Sequence, residues 1–426
     1  MQSMLRHIYT FLFYLILPLI GIRLLWRSLK QPGYRERIKE RFGFYPKQFE
    51  KSLWIHAVSL GEVIAAMPMV EAFKVSHADL PIVVTTMTPT GAHYVKEKLK
   101  ESVTHFYLPY DLPFAVKRFL KTIRPVGAII METELWPNLL TACAKAHLPL
   151  CLMNARLSQK SLRRYQWVRT GVSNIINYFS CIAVCSEEDA KRFFALGASV
   201  NQIHVTGNIK FDATIPDAVI EHQTHLKQLI GQDRLVWVAG STHPGEEAII
   251  LKVHQAIREK HPTALLILAP RHPNRFEEVF ALCEKNFTVA RYRTFTSALT
   301  HDCAVLLCDK IGALLGMYSV SDVAFVGGSL IPHGGHNPIE PALFGKPILT
   351  GPHVFNFSDI ASRFEAGSAL HFVQDEITLL GALQTLLCHQ TERLAMGARA
   401  KEVIIANRGV LARQLTLARQ CLFDKL

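Results

Sequence analysis

The residues that offer this chain chemistry gather where apolar runs give way to helix signals. In Trp54-Ile-His-Ala-Val-Ser59-Leu-Gly-Glu62 a strand-like run meets Gly61, and Glu62 falls in the first turn of the helix that should follow. A carboxylate there stays ionised beside the positive end of the helix dipole and can accept a proton. The Ser59-x-x-Glu62 spacing is also that of a capping box, in which the glutamate only satisfies a backbone N–H. Base and cap are both open from spacing alone. Further on, Ala128-Ile-Ile-Met-Glu132-Thr-Glu134-Leu-Trp-Pro137-Asn138 ends a strand with two carboxylates two residues apart. Such a pair costs energy unless a cation or an electron-poor centre offsets it. Arg156 in Asn154-Ala-Arg-Leu-Ser158 is the plainer partner.

The second half of the chain carries anion-binding chemistry instead. Gly240-Ser-Thr-His-Pro-Gly-Glu-Glu247 and Ala269-Pro-Arg-His-Pro-Asn-Arg275 each follow a strand-like run and offer backbone N–H groups at a helix start. Arg271 and Arg275 add donors suited to phosphate. In Gly327-Gly-Ser-Leu-Ile-Pro-His-Gly-Gly-His336-Asn-Pro-Ile-Glu340 the glycines let backbone approach a ligand, and Asn337 with Glu340 suits sugar hydroxyls. A glycine-rich turn capped by Asn337 is the bland alternative. His333, His336 and His353 lack acidic partners at ligand spacing, so no metal site is expected. No Gly-x-x-x-x-Gly-Lys-Ser/Thr loop occurs and no Gly-x-Gly-x-x-Gly opens the first helix, which argues against Walker-type ATPases and ordinary dinucleotide dehydrogenases.

Two series of short apolar runs must hold these turns. The first predicts strands at 53–58, 82–86, 103–108, 127–131, 149–153 and 181–184; the second at 235–239, 264–268, 304–307, 323–326, 347–350 and 369–372. Runs apolar on both faces, alternating with amphipathic segments, mean parallel sheet covered by helices. The expected fold class is α/β, with two doubly wound, Rossmann-like domains facing each other across a cleft, where ligands sit at strand carboxyl ends. The polar stretch from Thr206 to Gln232 reads as the inter-domain passage, and the last ~50 residues as helices closing the C-terminal domain. The expected division is an anchor at 1–28, an N-terminal domain at 29–205 and a C-terminal domain at 206–426.

Length and composition agree with that plan. The 426 residues are 49% hydrophobic and 19% charged, with a net charge of +12. Residues 1–51 hold ten Lys or Arg against three Glu, leaving only +5 over the other 375 residues and no basic stripe for nucleic acid. Ile8 to Ile22 is a 15-residue run without charge, about 22 Å as helix, short of a ~30 Å hydrocarbon core. Basic residues and Trp26 follow it instead of a cleavage site. The expectation is a retained anchor dipping into one leaflet, its cations against anionic lipid; a buried first helix of the globular body is the bland alternative, and Pro18 with Gly21 argues against a straight spanning helix. Nine scattered cysteines without a Cys-x-x-Cys pair read as reduced core thiols.

Together these motifs resemble the 3-deoxy-D-manno-octulosonic acid (Kdo) transferases of lipopolysaccharide assembly. The likeness rests on the anchor and on His56-Ala-Val-Ser-Leu-Gly-Glu62, Glu132-Thr-Glu-Leu-Trp-Pro-Asn138, Asn154-Ala-Arg-Leu-Ser158, Thr206-Gly-Asn-Ile-Lys-Phe-Asp212, Pro270-Arg-His-Pro and His333-Gly-Gly-His-Asn-Pro-Ile-Glu340. The resemblance implies a GT-B glycosyltransferase, with the acceptor on the N-terminal domain and CMP-Kdo on the C-terminal one. It implies transfer of Kdo to a hydroxyl of a lipid A precursor with inversion, at the cytoplasmic face of the bacterial inner membrane. Carried over, Glu62 is the general base, and Glu132 and Lys210 stabilise the transition state. Pro270, Arg271, Ile311, Gly312, Ala313, Asn337, Pro338, Ile339 and Glu340 match the CMP contacts. One departure stands out: after Asp309 the family usually reads Thr-Met-Gly-Glu, whereas Lys310-Ile-Gly-Ala313 here has a methyl in place of the acid. With no Asp-x-Asp motif, no metal or other cofactor is expected. The rival readings are a UDP-sugar transferase or 2-epimerase of the same fold, and a membrane-bound protein that binds a nucleotide sugar without catalysis.

Overall fold

Each half of the chain builds a seven-stranded, wholly parallel sheet. The computed structural model describes residues 2–423. In the first half the strands are β1 (Ser52–His56), β2 (Ile82–Thr86), β3 (Thr104–Tyr107), β4 (Pro125–Met131), β5 (Leu150–Ala155), β6 (Cys181–Val184) and β7 (Ile203–Val205). In the second they are β8 (Val236–Thr242), β9 (Leu265–Pro270), β10 (Thr288–Arg291), β11 (Cys303–Leu307), β12 (Val323–Val326), β13 (Ile348–Thr350) and β14 (Leu370–Phe372). The orders are β3-β2-β1-β4-β5-β6-β7 and β10-β11-β9-β8-β12-β13-β14. Both reverse direction once, between β1 and β4 and between β8 and β12, which is where doubly wound sheets bind ligands. The twelve predicted strands are all present; β7 and β10 escaped prediction because both are edge strands, half-exposed and without an unbroken apolar run.

The chain divides into two units, one of residues 1–210 and 409–426, the other of Phe211–Arg408. This differs from the expected boundary at 205/206 in two places. The polar stretch thought to be a passage contains a helix, Asp217–Ile230, that packs on the Leu314–Val320 helix of the second unit. The final helix, Val410–Phe423, packs against β4, β5, β6 and the Leu60–Ser76 helix of the first unit instead of closing the second. Gly127 lets it approach: a Cβ there would lie 2.7 Å from Leu422 Cδ2. Val410, Ala418 and Leu422 join the same apolar cluster as Leu53, Ile55, Met69 and Phe73.

Gln2–Lys30 is one continuous helix through Pro18, and its Met4–Leu29 portion is long and apolar enough to cross a membrane. One flank lies on the first unit: Phe13 is buried against Leu112 and Ala115, with Tyr9, Leu17 and Ile20 beside it. The other flank exposes Ile8, Phe11, Leu12, Leu15, Leu19, Ile22 and Trp26. Both sets follow a helical repeat, so the helix has a body side and an apolar outer side.

Of the cysteines, Cys151 and Cys181 lie in register on neighbouring strands, and Cys421 of the last helix completes a three-thiol group. Hydrogen bonds with Cys181 and Cys421, then burial, push the Cys151 thiol up; Cys181 is pulled down by its bond with Cys151 but raised further by Cys421 and burial, so both stay protonated in an apolar core.

Candidate active site

In the first unit, three strand ends converge on one group of charges. Glu62, in the first turn of the Leu60–Ser76 helix, accepts from Val58 N–H at 2.7 Å and from the Ser59 hydroxyl at 2.9 Å. Ser59 makes no cap bond of its own, so half of the capping box is missing: the serine serves the carboxylate, not the helix. Burial raises the Glu62 pKa, the Glu132 charge raises it further, and hydrogen bonds from Val58 N–H and from both the hydroxyl and the backbone of Ser59 pull it back. Glu132, just past β4, sits 3.8 Å from Lys210 Nζ. Lys210 is lowered by burial, supported by Glu132 and opposed by Arg156. Glu134 accepts from Trp136 Nε1 at 2.7 Å, and burial with the Glu62 charge raises it to about 7. Glu62, Glu132, Glu134, Arg156 and Lys210 therefore act on one another, as the motif spacing alone did not require.

The backbone here is strained. Glu132 and Asn154 both hold positive φ, 56° and 53°, a conformation that non-glycine residues keep only when surroundings over-determine it. Those surroundings are visible. The Thr133 hydroxyl donates to Arg156 O and accepts from Arg156 N, tying the β4 turn to the β5 turn. Asn154 Oδ1 accepts from Ile209 N at 3.0 Å, and Asn208 Oδ1 from Lys210 N at 3.1 Å, which fixes the segment that carries Lys210. Asn138, quoted in the same motif as Glu132, is instead an architectural residue. Its side chain bonds Asp111 O and Thr10 of the N-terminal helix, and its N–H bonds the Asp111 carboxylate.

Glu134 supplies a sign-definite test of this electrostatics. Its folded pKa of about 7 lies above the unfolded carboxylate value, so the folded state binds the extra proton and stability falls as pH rises through roughly 4.5 to 7. Glu134→Gln keeps an acceptor for Trp136 without the charge. The variant is expected to melt higher than wild type at pH 8, with the gain disappearing by pH 4.5, in paired thermal melts.

In the second unit, the turns after β8, β9 and β12 meet at the other reversal point. Contrary to the expectation of an open anion cradle after β8, the His243 N–H there is already taken, together with three N–H groups of the turn after β12. Fully buried Glu246 fills them, accepting from His243 N, Gly328 N, Ser329 N and Leu330 N at 2.7 to 3.0 Å. Arg275 is likewise taken up in an ion pair with buried Glu247, 2.6 Å long. Arg271 stays exposed, close enough to Glu340 to lower its pKa against the larger effect of burial. Asn337 Oδ1 caps Ile339 N, as the bland reading had it, and its side chain also bonds Glu340. Pro270 ends β9; Pro338 and Ile339 are buried under the Ile339–Leu343 helix start. Ile311 is exposed, Gly312 has φ of 83°, and Ala313 precedes the Leu314–Val320 helix, which contacts the helix of Glu340.

A cluster of imidazoles that the sequence reading missed occupies this end of the sheet. His243 Nε2 lies 2.8 Å from His336 Nε2, with His333 and His272 stacked or edge-on around His243. His353, grouped with them on paper, makes a backbone bond to Ser329. Burial first, then Arg271 and the neighbouring rings, depress His336 to about 3; burial and His333 hold His243 at about 4. The neutral rings carry no charge themselves, and the Arg271 guanidinium beside them favours an anion over a cation. The Gly240–Glu247 motif contained the signal for His243, but only folding joins it to His336.

Comparison with known proteins follows the same lines. Residues 36–213 match the family described as 3-Deoxy-D-manno-octulosonic-acid transferase (kdotransferase). The 3-deoxy-D-manno-octulosonic acid transferase of Haemophilus influenzae is 40% identical over 418 residues, 97% of this chain and 98% of that protein. The Bordetella pertussis protein of the same name is 34% identical, covering 96% and 98%. Among solved structures, UDP-GlcNAc 2-epimerase from Neisseria meningitidis superposes with a TM-score of 0.60 at 14% identity, over 86% of this chain and all of that one, a likeness of fold alone.

Proposed function

The chain belongs to the Kdo transferase family, and from that premise we propose that it moves Kdo from CMP-Kdo to a lipid A precursor of the lipid IVA type, with inversion, in lipopolysaccharide core assembly. The observation that carries the mechanism is Glu62, held by Val58 N–H and Ser59 O–H beside the Glu132–Lys210 pair. In the proposed step the acceptor hydroxyl gives its proton to Glu62 as its oxygen bonds the anomeric carbon. The bond from that carbon to the CMP phosphate breaks on the opposite face, and its electron pair leaves with CMP. The raised pKa makes Glu62 a better base than an exposed carboxylate. Glu132 favours the oxocarbenium-like centre, and Lys210 serves the sugar carboxylate or the departing phosphate.

On the donor side, Arg271, Asn337 and Glu340 with the segments 270–271, 311–313 and 337–340 are proposed to hold CMP. Ala313 has no acidic side chain to offer, so contacts at 311–313 fall to the backbone, which the positive φ of Gly312 leaves exposed. The cationic and imidazole surroundings take the role a metal has in other transferases, and the reaction is proposed to need none. The Gln2–Lys30 helix is proposed to hold the enzyme on the cytoplasmic face of the inner membrane, in one leaflet, with Phe13 packed against the protein and the outer flank in lipid.

The test is turnover of CMP-Kdo and a tetraacylated lipid A precursor by the purified full chain in EDTA, read by mass spectrometry. Addition of Kdo mass is the expected result. Activity only after a divalent ion is returned overturns the metal-free mechanism, and turnover of UDP-sugars in place of CMP-Kdo overturns the donor.

A further inference from the structure

The most exposed large apolar side chain in the described structure is neither in the N-terminal helix nor in the site. It is Trp167, 91% exposed, at the corner between the helices Gln159–Gln166 and Arg169–Ile176 of the first unit. Val168 beside it is exposed as well. Leaving a tryptophan in water forfeits the burial of one of the largest apolar side chains, and single surface tryptophans belong where one face is apolar and the other wet.

The charges around it are of one sign. From Leu135 to Ser186 the chain has no acidic residue. Lys160, Arg163, Arg164 and Trp167 fall at i, i+3, i+4 and i+7, one face of the helix, with Arg169 just beyond. All five are exposed, and none of the cations is in an ion pair among the described residues. The opposite face is ordinary core: Leu162 is buried and Tyr165 half-buried against the main cluster of the first sheet. Trp167 at the end of the helix retains helical φ and ψ, so the face is continuous up to it.

This corner adjoins the helix already directed at lipid. Arg169–Ile176 contacts Gln2–Lys30, and a Cβ on Gly171 would stand 3.6 Å from Leu5 Cδ1. From this continuity and charge we propose that the Lys160–Arg169 corner is a second membrane-docking surface, with Trp167 and Val168 seated among the headgroups of an anionic bilayer and the four cations on lipid phosphates. The docking rests on the membrane reading of the N-terminal helix, not on the sugar chemistry. A consequence rests on both. Ser158 caps the Gln159–Gln166 helix, and Arg156, two residues earlier, belongs to the charge group around Glu134 and Lys210. Tyr165 on that helix feels the Glu134 charge. The eight residues of that helix, about 12 Å, then separate Trp167 from Ser158 beside the site, a distance that lets a lipid acceptor react with its acyl chains still in the bilayer.

The experiment uses the full chain with vesicles of phosphatidylcholine alone or mixed with phosphatidylglycerol, with and without brominated acyl chains. Wild type is expected to show stronger quenching by bromolipid than Trp167→Phe, whose remaining quenching comes from Trp26 of the N-terminal helix. Arg163→Gln with Arg164→Gln is expected to weaken binding to the anionic vesicles about 25-fold, at roughly fivefold per cation, to leave binding to neutral vesicles unchanged and to melt as wild type does. Equal quenching in wild type and Trp167→Phe overturns the proposal even if the N-terminal helix keeps the protein on the vesicle. So does an unchanged affinity of the double variant, the result expected if the corner instead meets an acidic protein.

Discussion

Glu62→Gln is expected to lower kcat on the order of 10^3-fold while leaving KM for the donor where it is and the melting temperature no lower than that of wild type, because general-base catalysis contributes about 10^2 to 10^4 and burial already works against the charge at this position. The substitution is nearly silent structurally. The glutamine oxygen can still accept from Val58 N–H, and the Ser59 hydroxyl, which now donates to Glu62, can turn to accept from the amide nitrogen. What is lost is the site for a proton. The pH profile supplies a second reading: kcat/KM of wild type should rise with pH through a limb above the ordinary carboxylate range, since burial and Glu132 both raise Glu62. Glu132→Gln removes the like charge and should move that limb to lower pH, at a lower plateau. A loss of less than about tenfold in Glu62→Gln would place the base elsewhere, with Glu134 the next carboxylate to try.

The largest stability effect is expected at Glu246, which does no chemistry. Its two oxygens take four backbone N–H groups from the β8 and β12 turns, wholly out of water. Truncation to alanine strands those donors, each at about 1 to 3 kcal/mol less whatever entering water recovers. A loss on the order of 4 kcal/mol in urea unfolding is expected, which few single substitutions reach. Glu246→Gln should cost less, because one oxygen remains, though its amide then points donors at donors. Binding of CMP, measured by calorimetry, should weaken in both, since the turn they loosen leads directly to His333–Glu340. An alanine variant as stable as wild type would mean the turn is held by its glycines and Ser329, whose hydroxyl bonds Gly351 N at 2.8 Å.

How far the residues themselves disclose this architecture depends on burial. Central strands such as Ile129–Met131 or Leu265–Leu268 are covered on both faces, so their apolar runs are unbroken and locate them almost to the residue. Edge strands β7 and β10 bury one face or less and leave no such run. Glu62, Glu132 and Lys210 were legible through motifs that hold their spacing, but their mutual approach was not, because it depends on Asn154 and Asn208 holding a segment more than fifty residues away in sequence from the β5 turn. The same limit explains Glu246: His-Pro-Gly-Glu looked like an open cradle until the turn 82 residues later supplied the N–H groups that close it. The Cys151, Cys181 and Cys421 group and the His243–His336 pair are invisible for that reason as well, being products of strand order.

The Val410–Phe423 helix fixes the order in which the protein can be finished. Phe211–Arg408 is an insertion in the first unit, and its strands and helices are all made before residue 410 leaves the ribosome. The first unit, begun earliest, waits for Val410, Ala418 and Leu422 to cover Ile55, Met69 and Cys181, and for Gln414 to reach Thr206. Its sheet can pair during synthesis, but that apolar face stays bare for the time needed to translate roughly two hundred residues, some ten to forty seconds at 5 to 20 residues per second. The unit translated first is therefore the one completed last, and a premature stop between 409 and 418 would damage the beginning of the molecule and spare its middle.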